Sequence, residues 1–395
     1  MRRTQVGVGV GVVVVVALAA LAAGSFQRHE KPSAQLRALS RTPAPSTIAD
    51  RPEFRPLTGV PLTGPTRLRL LVASDPRPFV VDLDQDSVQP VTGLPTDGER
   101  VVSVLPVGEH AVIVSERSCT SCRSPGPEVY GIWRHSTTAV RLGSAQQVVA
   151  ARDGRAVWLL GHQTRTACTI RRVGLDGRPR RPARPVSCAT KLLGELPVGL
   201  LVASGTSEDP WEWPTSLVDH RGHRTRLGFL AADLLAATGQ LVLTSAEPLA
   251  PLTLTNLRSG ASWRLEWPSR LRGGTHLAAV HPNGRDIAVG FHGLAAPGEE
   301  GYDLWLLDTA TRRWQHLPDL PAADIAAKAT DLAWTGAGRL VVLTGTATRG
   351  WVVAVWRPGQ PRLALRPVKL PEPSPGEQCV GLDTIAHAEE QTHPI

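Results

Sequence analysis

Apolar residues along this chain come in short runs of four or five, not at the three-to-four-residue spacing of an amphipathic helix face. Seven such runs, mostly β-branched, recur at positions 70–73, 111–115, 156–160, 199–203, 241–244, 287–290 and 340–344, with starts 41 to 53 residues apart. Several follow a tight polar turn: Arg152-Asp153-Gly154-Arg155, Thr238-Gly239-Gln240, Pro282-Asn283-Gly284-Arg285 and Gly336-Ala337-Gly338-Arg339. Asp-Gly and Asn-Gly supply the positive φ that a two-residue hairpin demands, so each turn is expected to join two antiparallel strands. A second strand follows each run, as at Leu304-Trp305-Leu306-Leu307-Asp308 and Val353-Ala354-Val355-Trp356-Arg357, and a shorter one comes after its own turn. Each unit therefore holds four strands.

Four-stranded units of roughly 40 to 50 residues arranged radially make a β-propeller, and seven of them fill residues 65–371. The expected fold class is all-β, a seven-bladed β-propeller preceded by an N-terminal transmembrane or signal helix. Composition agrees, since 37 Gly and 34 Pro argue against a mainly helical chain. A hydrophobic share of 42% beside 20% charged residues also argues against a disordered one. In the sixth unit, Val280-His281-Pro282-Asn283-Gly284-Arg285-Asp286-Ile287-Ala288-Val289 and then Tyr302-Asp303-Leu304-Trp305-Leu306-Leu307-Asp308 resemble the repeat of TolB-type, WD40-like propellers. The seventh unit resembles it in part, from 332 to 344. The Gly-His and Trp-Asp pairs of true WD40 repeats are missing, so the resemblance is one of superfold. It implies a binding platform more often than an enzyme, and a propeller alone fixes no function.

Ahead of the propeller, Met1-Arg2-Arg3 leads into an uncharged stretch at 4–27. That length reaches the roughly 20 residues a membrane-spanning helix needs, and the two arginines favour a cytoplasmic N-terminus. Residues 1–27 read as a signal anchor or, because Ala17-Leu18-Ala19 and Ala20-Leu21-Ala22 offer small residues in the A-x-A pattern, as a cleaved signal peptide. Residues 28–64 read as a Pro/Ser-rich stalk, part of which (54–62) is a candidate closing strand; 372–395 is a polar tail with a second candidate at 380–386. The propeller is expected outside a cell membrane, tethered to it by the N-terminal helix or secreted, and monomeric.

Five cysteines in such a compartment favour disulfides. Cys168 and Cys188 flank the Asp176-Gly177 turn at similar distances, the placement of a cross-strand bridge. Cys119 and Cys122 are expected to bridge locally within a loop, since a zinc site lacks a second ligand pair and a thioredoxin-like role lacks its βαβ context. Cys379 is left over.

Catalytic signatures are missing: no G-x-S-x-G, H-E-x-x-H, phosphate-binding loop or dinucleotide fingerprint occurs. No cofactor and no metal are expected. Asp82-Leu83-Asp84-Gln85-Asp86 starts like a calcium loop but lacks its Gly and its bidentate Glu, and reads as a hairpin turn; His220-Arg221-Gly222-His223 reads as a surface loop. Two features are candidate binding sites. Arg178, Arg180 and Arg181, with Arg165, Arg171, Arg172 and Arg184, make the third unit strongly basic and suited to an anionic partner, such as lipid headgroups or an acidic envelope polymer. Nucleic acid is not expected, because aromatics for base stacking are not interleaved. Trp211 and Trp213 follow Ser207-Glu208-Asp209-Pro210 in a loop and are expected to expose two indoles for a carbohydrate or peptide. Trp133, Trp305 and Trp356 are expected at equivalent inter-blade positions. The reading is a membrane-tethered module that binds or scaffolds a protein or envelope polymer without catalysis. The alternative is an extracytoplasmic hydrolase or lyase acting on envelope glycan or peptide, with His276, His281, His292 and Asp303 of the sixth unit converging on a polar pocket.

Overall fold

The computed structural model describes residues 54–371 and 385–390, apart from the short segments 74–76, 96–98, 109, 118–126, 134–135, 163–166, 247–249, 297–298 and 347–348. Residues 1–27, expected to be a signal anchor or signal peptide, and Cys119, Cys122 and Cys379 lie outside the described residues. Among those described, no helix is long and apolar enough to cross a membrane.

Seven sheets form, five of them four-stranded antiparallel meanders whose strands pair in sequence order and the other two meanders extended by a strand from elsewhere in the chain. The first strands of the sheets are Glu99–Val107, Gln147–Ala150, Thr190–Leu196, Leu234–Thr238, Gly274–Val280 and Ile325–Trp334, with Ile385–Glu390 taking that place in the remaining sheet. These seven strands neighbour one another in succession and the series returns to its start, which defines the closed ring of a seven-bladed β-propeller. Blade 1 is therefore built from both ends of the domain: Ile385–Glu390 pairs antiparallel with Leu68–Val72, Leu70 opposite Ala388. Of the C-terminal candidate at 380–386, residues 380–384 lie outside the described residues; 385 and 386 belong to the closing strand, which runs on to Glu390. The N-terminal one instead adds a fifth strand to blade 7, where Val60–Pro61 runs parallel to Ala364–Pro367. Leu57 beside it is 2% exposed and its amide donates to Asp324 Oδ1 at 2.7 Å, so the chain is part of the folded body from residue 54 onward.

Strand geometry explains the continuous apolar runs. Successive side chains point to opposite faces of a sheet, and here both faces are covered by a neighbouring blade. In Leu340–Thr346, Leu340 and Val342 join the core between blades 6 and 7, whereas Val341 and Leu343 join the core between blades 7 and 1. Blade 6 repeats this with Ile287, Val289 and Phe291 on one side and Ala288 on the other. Apolar cores fill all seven blade-to-blade seams.

The turns carry the expected chemistry. Gly154 and Gly284 adopt φ of 64° and 68°; a Cβ on Gly154 would fall 2.8 Å from the Gly108 Cα of the adjacent blade. The later turn of several blades opens with an Asx residue whose side chain accepts from amides two or three residues on: Asp82 from Asp84 and Gln85, Asn256 from Arg258 and Ser259, Asp308 from Ala310 and Thr311. The three tryptophans are not equivalent. Trp356 is 1% exposed and packed between blades, whereas Trp133 lies just past its strand, is 42% exposed and meets His110 edge-on; Trp305 is half-buried.

Closure by six residues generates a prediction. A chain ending at residue 371 leaves Leu68–Val72 paired with Phe79–Asp82 on one side only, with its other edge bare at the centre of the ring, and bare strand edges template association. Size-exclusion chromatography is expected to show aggregate in place of the full chain's profile; an unchanged profile and melting curve would mean that the closing strand contributes nothing.

Candidate functional site

Because each meander runs outward with alternating direction, the first and third turns of blades 2 to 7, and the third turn of blade 1, open on one face of the ring. The middle loops and the blade-to-blade connections open on the other. Backbone bonds tie the paired turns together: Leu175 N–H to Arg155 O in blade 3, Leu257 N–H to Gln240 O in blade 5 and Thr309 N–H to Arg285 O in blade 6. The candidate residues divide between a turn face and a loop face.

On the loop face, the middle loop of blade 4 carries Trp211 and Trp213 and is built by local hydrogen bonds. Asp209 Oδ1 accepts the Trp211 amide at 2.9 Å, capping the short 3-10 turn Pro210–Glu212, and Ser207 Oγ donates to Glu212 at 3.0 Å. Trp213 departs from the expected exposed indole. It is 9% exposed, its Nε1 donates to Ser207 O at 2.9 Å, and it packs on Ala203 and Ala231, so it anchors the loop from beneath. Trp211 keeps part of its ring at the surface. Beneath that ring lies the ammonium of Lys191, a residue of the innermost strand that is 2% exposed. Burial pulls the Lys191 amine down to about 8 from 10.5, against the opposing pull of Asp209. Sequence reasoning missed Lys191: a lone lysine in an apolar strand carries no motif, and only the fold brings it under the indole.

Blade 3 places the predicted disulfide on the same face. Cys168 and Cys188 are joined, with Cα atoms 5.0 Å apart.

Blade 6 does not gather the histidines. His281 sits in the first turn, on the turn face, where it packs edge-on against Trp334 with ring centroids 4.4 Å apart. His292 pairs with Gly274 at the opposite end of the hairpin, on the loop face; burial holds its imidazole below the ordinary value, against the pull of Glu300. The side chain of His276 lies outside the described residues. Asp303 is 2% exposed and accepts from Ser269 Oγ at 2.6 Å, Trp305 Nε1 at 2.7 Å and its neighbour's amide, Leu304 N–H, at 3.0 Å, with His316 Nε2 at 2.7 Å. The order is serine, aspartate, histidine. A nucleophile is activated by a base that touches it, and here the carboxylate stands between the hydroxyl and the imidazole. The array ties the connection from blade 5 to the third and fourth strands of blade 6.

On the turn face, Arg178, Arg180 and Arg181 are exposed in the third turn of blade 3. Arg180 pairs with Asp176 at 3.0 Å. The Arg178 amide donates to Asp176 Oδ1 at 3.1 Å, and the guanidiniums of Arg178, Arg181 and Arg184 form no ion pair among the described residues. The corresponding turn of blade 4 adds exposed Arg221, and the strand that follows it, Arg224–Leu230, adds exposed Arg224 and Arg226. The turn's two histidines are held apart: His220 Nε2 contacts Pro197 O at 3.0 Å and His223 Nδ1 contacts Asp219 at 3.4 Å. In blade 1 two of the three carboxylates of the calcium-like turn, Asp82 and Asp84, are taken by the protein itself. Asp84 accepts from Thr66 N, Thr66 Oγ1 and Arg67 N at 2.6 to 2.7 Å. Burial pushes its pKa up, and these hydrogen bonds outweigh that and hold it below the ordinary carboxylate value.

No protein-family model and no curated protein sequence matches the chain. Its fold is similar to those of solved propellers at low identity. The β-propeller domain of the Trilobed protease from Pyrococcus furiosus is 12% identical, with a TM-score of 0.48 over 78% of this chain and 97% of that one. TolB from Acinetobacter baumannii is 12% identical, with a TM-score of 0.37 over 62% of each chain. Pyrococcus horikoshii acylaminoacyl peptidase is 11% identical, with a TM-score of 0.49 over 80% of this chain but only 52% of that enzyme. These likenesses concern the propeller fold.

The Lys191 amine gives a pH signature. It titrates near 8 when folded and near 10.5 when exposed in the unfolded chain, so between those values the unfolded state binds the extra proton and stability rises with pH. In urea denaturation at about pH 7.5 and about pH 10, the wild-type chain is expected to gain more stability than Lys191→Met; parallel profiles would remove Lys191 as the source.

Proposed function

We propose that the chain is an extracytoplasmic, membrane-tethered β-propeller that binds or scaffolds an anionic partner without catalysis. The observation that carries this reading is the basic rim on the turn face. Arg178 and Arg181 of blade 3 and Arg221 and Arg224 of blade 4 are exposed at that rim, Arg184 and Arg226 are exposed on the outer strands of the same blades, and none has an ion-pair partner among the described residues. Guanidiniums left unpaired on one face of a chain of net charge +8 attract polyanions and steer their approach. Propeller rigidity supports the same role, since residues on turns fixed by Asx hydrogen bonds lose little freedom on binding. The uncharged run at 4–27 and the cysteine usage support the compartment. The acidic polymer or headgroup surface of an envelope is the class of partner that matches this charge.

The test is cross-linking capture by the full-length, membrane-embedded protein, compared with Arg178→Glu/Arg180→Glu/Arg181→Glu. The wild type is expected to retain an anionic polymer or anionic partner that added salt releases, and the triple variant to lose at least ten-fold of it. Equal recovery by the two proteins, or turnover of an envelope glycan or peptide by the purified chain, would overturn the reading.

A further inference from the structure

Three side chains with metal-binding atoms meet on the loop face of blade 3. His162 ends the second strand, Cys168 opens the third, and Cys188 lies in the connection to blade 4. His162 Nδ1 is 3.2 Å from Cys168 Sγ and 3.6 Å from Cys188 Sγ, and the three ligand atoms all lie within 4.8 Å of one another. On its other side, His162 Nε2 is 2.6 Å from the side-chain amide of Gln146. Cys168 is fully buried, Cys188 is half-buried and His162 is exposed.

The sulfurs are joined here, and a disulfide offers a metal nothing comparable to thiolates. Reduction changes that. Zinc binds sulfur at about 2.3 Å and imidazole nitrogen at about 2.0 to 2.1 Å in tetrahedral geometry, which sets N···S edges of roughly 3.6 Å. Both N···S separations are already close to that edge. Only the sulfurs need to part, to roughly 3.8 Å, and Cys188 sits in a connection, not in a paired strand.

We propose that, once the Cys168–Cys188 bond is reduced, His162, Cys168 and Cys188 bind one thiophilic divalent cation, zinc, leaving a fourth position for water. The reductant is a dithiol. Its thiolate attacks one sulfur, the mixed disulfide resolves through its second thiol, and two electrons and two protons pass to Cys168 and Cys188 while the reductant leaves as its own disulfide. Metal binding then displaces the two thiol protons to solvent, and neutral His162 donates its Nδ1 lone pair. Gln146 is the positioning residue. With its oxygen turned to Nε2–H it fixes the tautomer that frees Nδ1 for the metal. With its nitrogen turned inward it fixes the opposite tautomer, in which Nδ1–H faces the disulfide. The two orientations differ by a half-turn of the amide.

The site is tested on the full chain carrying Cys119→Ser, Cys122→Ser and Cys379→Ser, with cobalt(II) as the probe. The protein is reduced by a dithiol, which is then removed under argon. The reduced protein is expected to bind one equivalent with tetrahedral ligand-field bands and a thiolate-to-cobalt charge-transfer band, both absent from the oxidised protein and abolished by added zinc. His162→Ala, an exposed position, is expected to weaken cobalt binding at least ten-fold while leaving the melting of the oxidised form unchanged. Reduced protein that stays folded by circular dichroism yet shows no charge-transfer band would overturn the proposal, as would undiminished affinity in His162→Ala. If the triple serine variant does not fold, the reduced wild-type chain is compared with Cys188→Ser: loss of the bands in the variant supports the site and equal bands refute it.

Discussion

Burial of every blade on both faces is the constraint from which the rest of this structure follows. A sheet covered on one side alternates apolar and polar residues; one covered on both needs apolar residues at successive positions. That is why Leu340, Val341, Val342 and Leu343 are consecutive and all buried. The same requirement forces ring closure, since an open arc of blades would leave one apolar face at each end in water. Ile385–Glu390 meets it by returning the C-terminal chain to blade 1.

With the sheets committed to packing, polar chemistry is displaced to the two rims, and much of it there is consumed in holding loops. The Asx side chains of the third turns bind their own backbone, Asp84 is saturated by Thr66 and Arg67, and Asp303 is the hub of a buried array. What remains over is informative for that reason. The guanidiniums of Arg178, Arg181, Arg221 and Arg224 have no ion-pair partner among the described residues, Lys191 is buried beneath Trp211, and His162 faces two sulfurs. The Cys168–Cys188 bridge closes a loop of sequence separation 20, and constraining an unfolded loop of that size stabilises a fold by about 3 kcal/mol.

The blade count, the hairpin turns and the Cys168–Cys188 bridge were legible because each leaves a local mark: an apolar run, a glycine at positive φ, two cysteines symmetric about a turn. Closure was legible only as a choice between two segments, because pairing of residue 388 with residue 70 is a contact between distant parts of the chain that no local pattern encodes. Tryptophan positions misled for a related reason. Trp213 looks like Trp211 in sequence, yet a hydrogen bond from its indole to Ser207 O turns it inward, and Trp133 falls one residue beyond its strand and into solvent. His162 carried no signal, since its partners lie across a turn and in the next connection.

Two leucines on one strand test two-sided burial most directly. Leu340 and Leu343 are both 0% exposed and face opposite seams, the first toward blade 6 and the second toward blade 1. Leu340→Ala and Leu343→Ala, each measured by denaturant unfolding of the full chain, are predicted to cost about 2 to 5 kcal/mol apiece, the range for truncating a buried leucine. A large loss at one position with less than about 0.5 kcal/mol at the other, the value usual for surface sites, would show a blade buried on a single face and contradict the propeller.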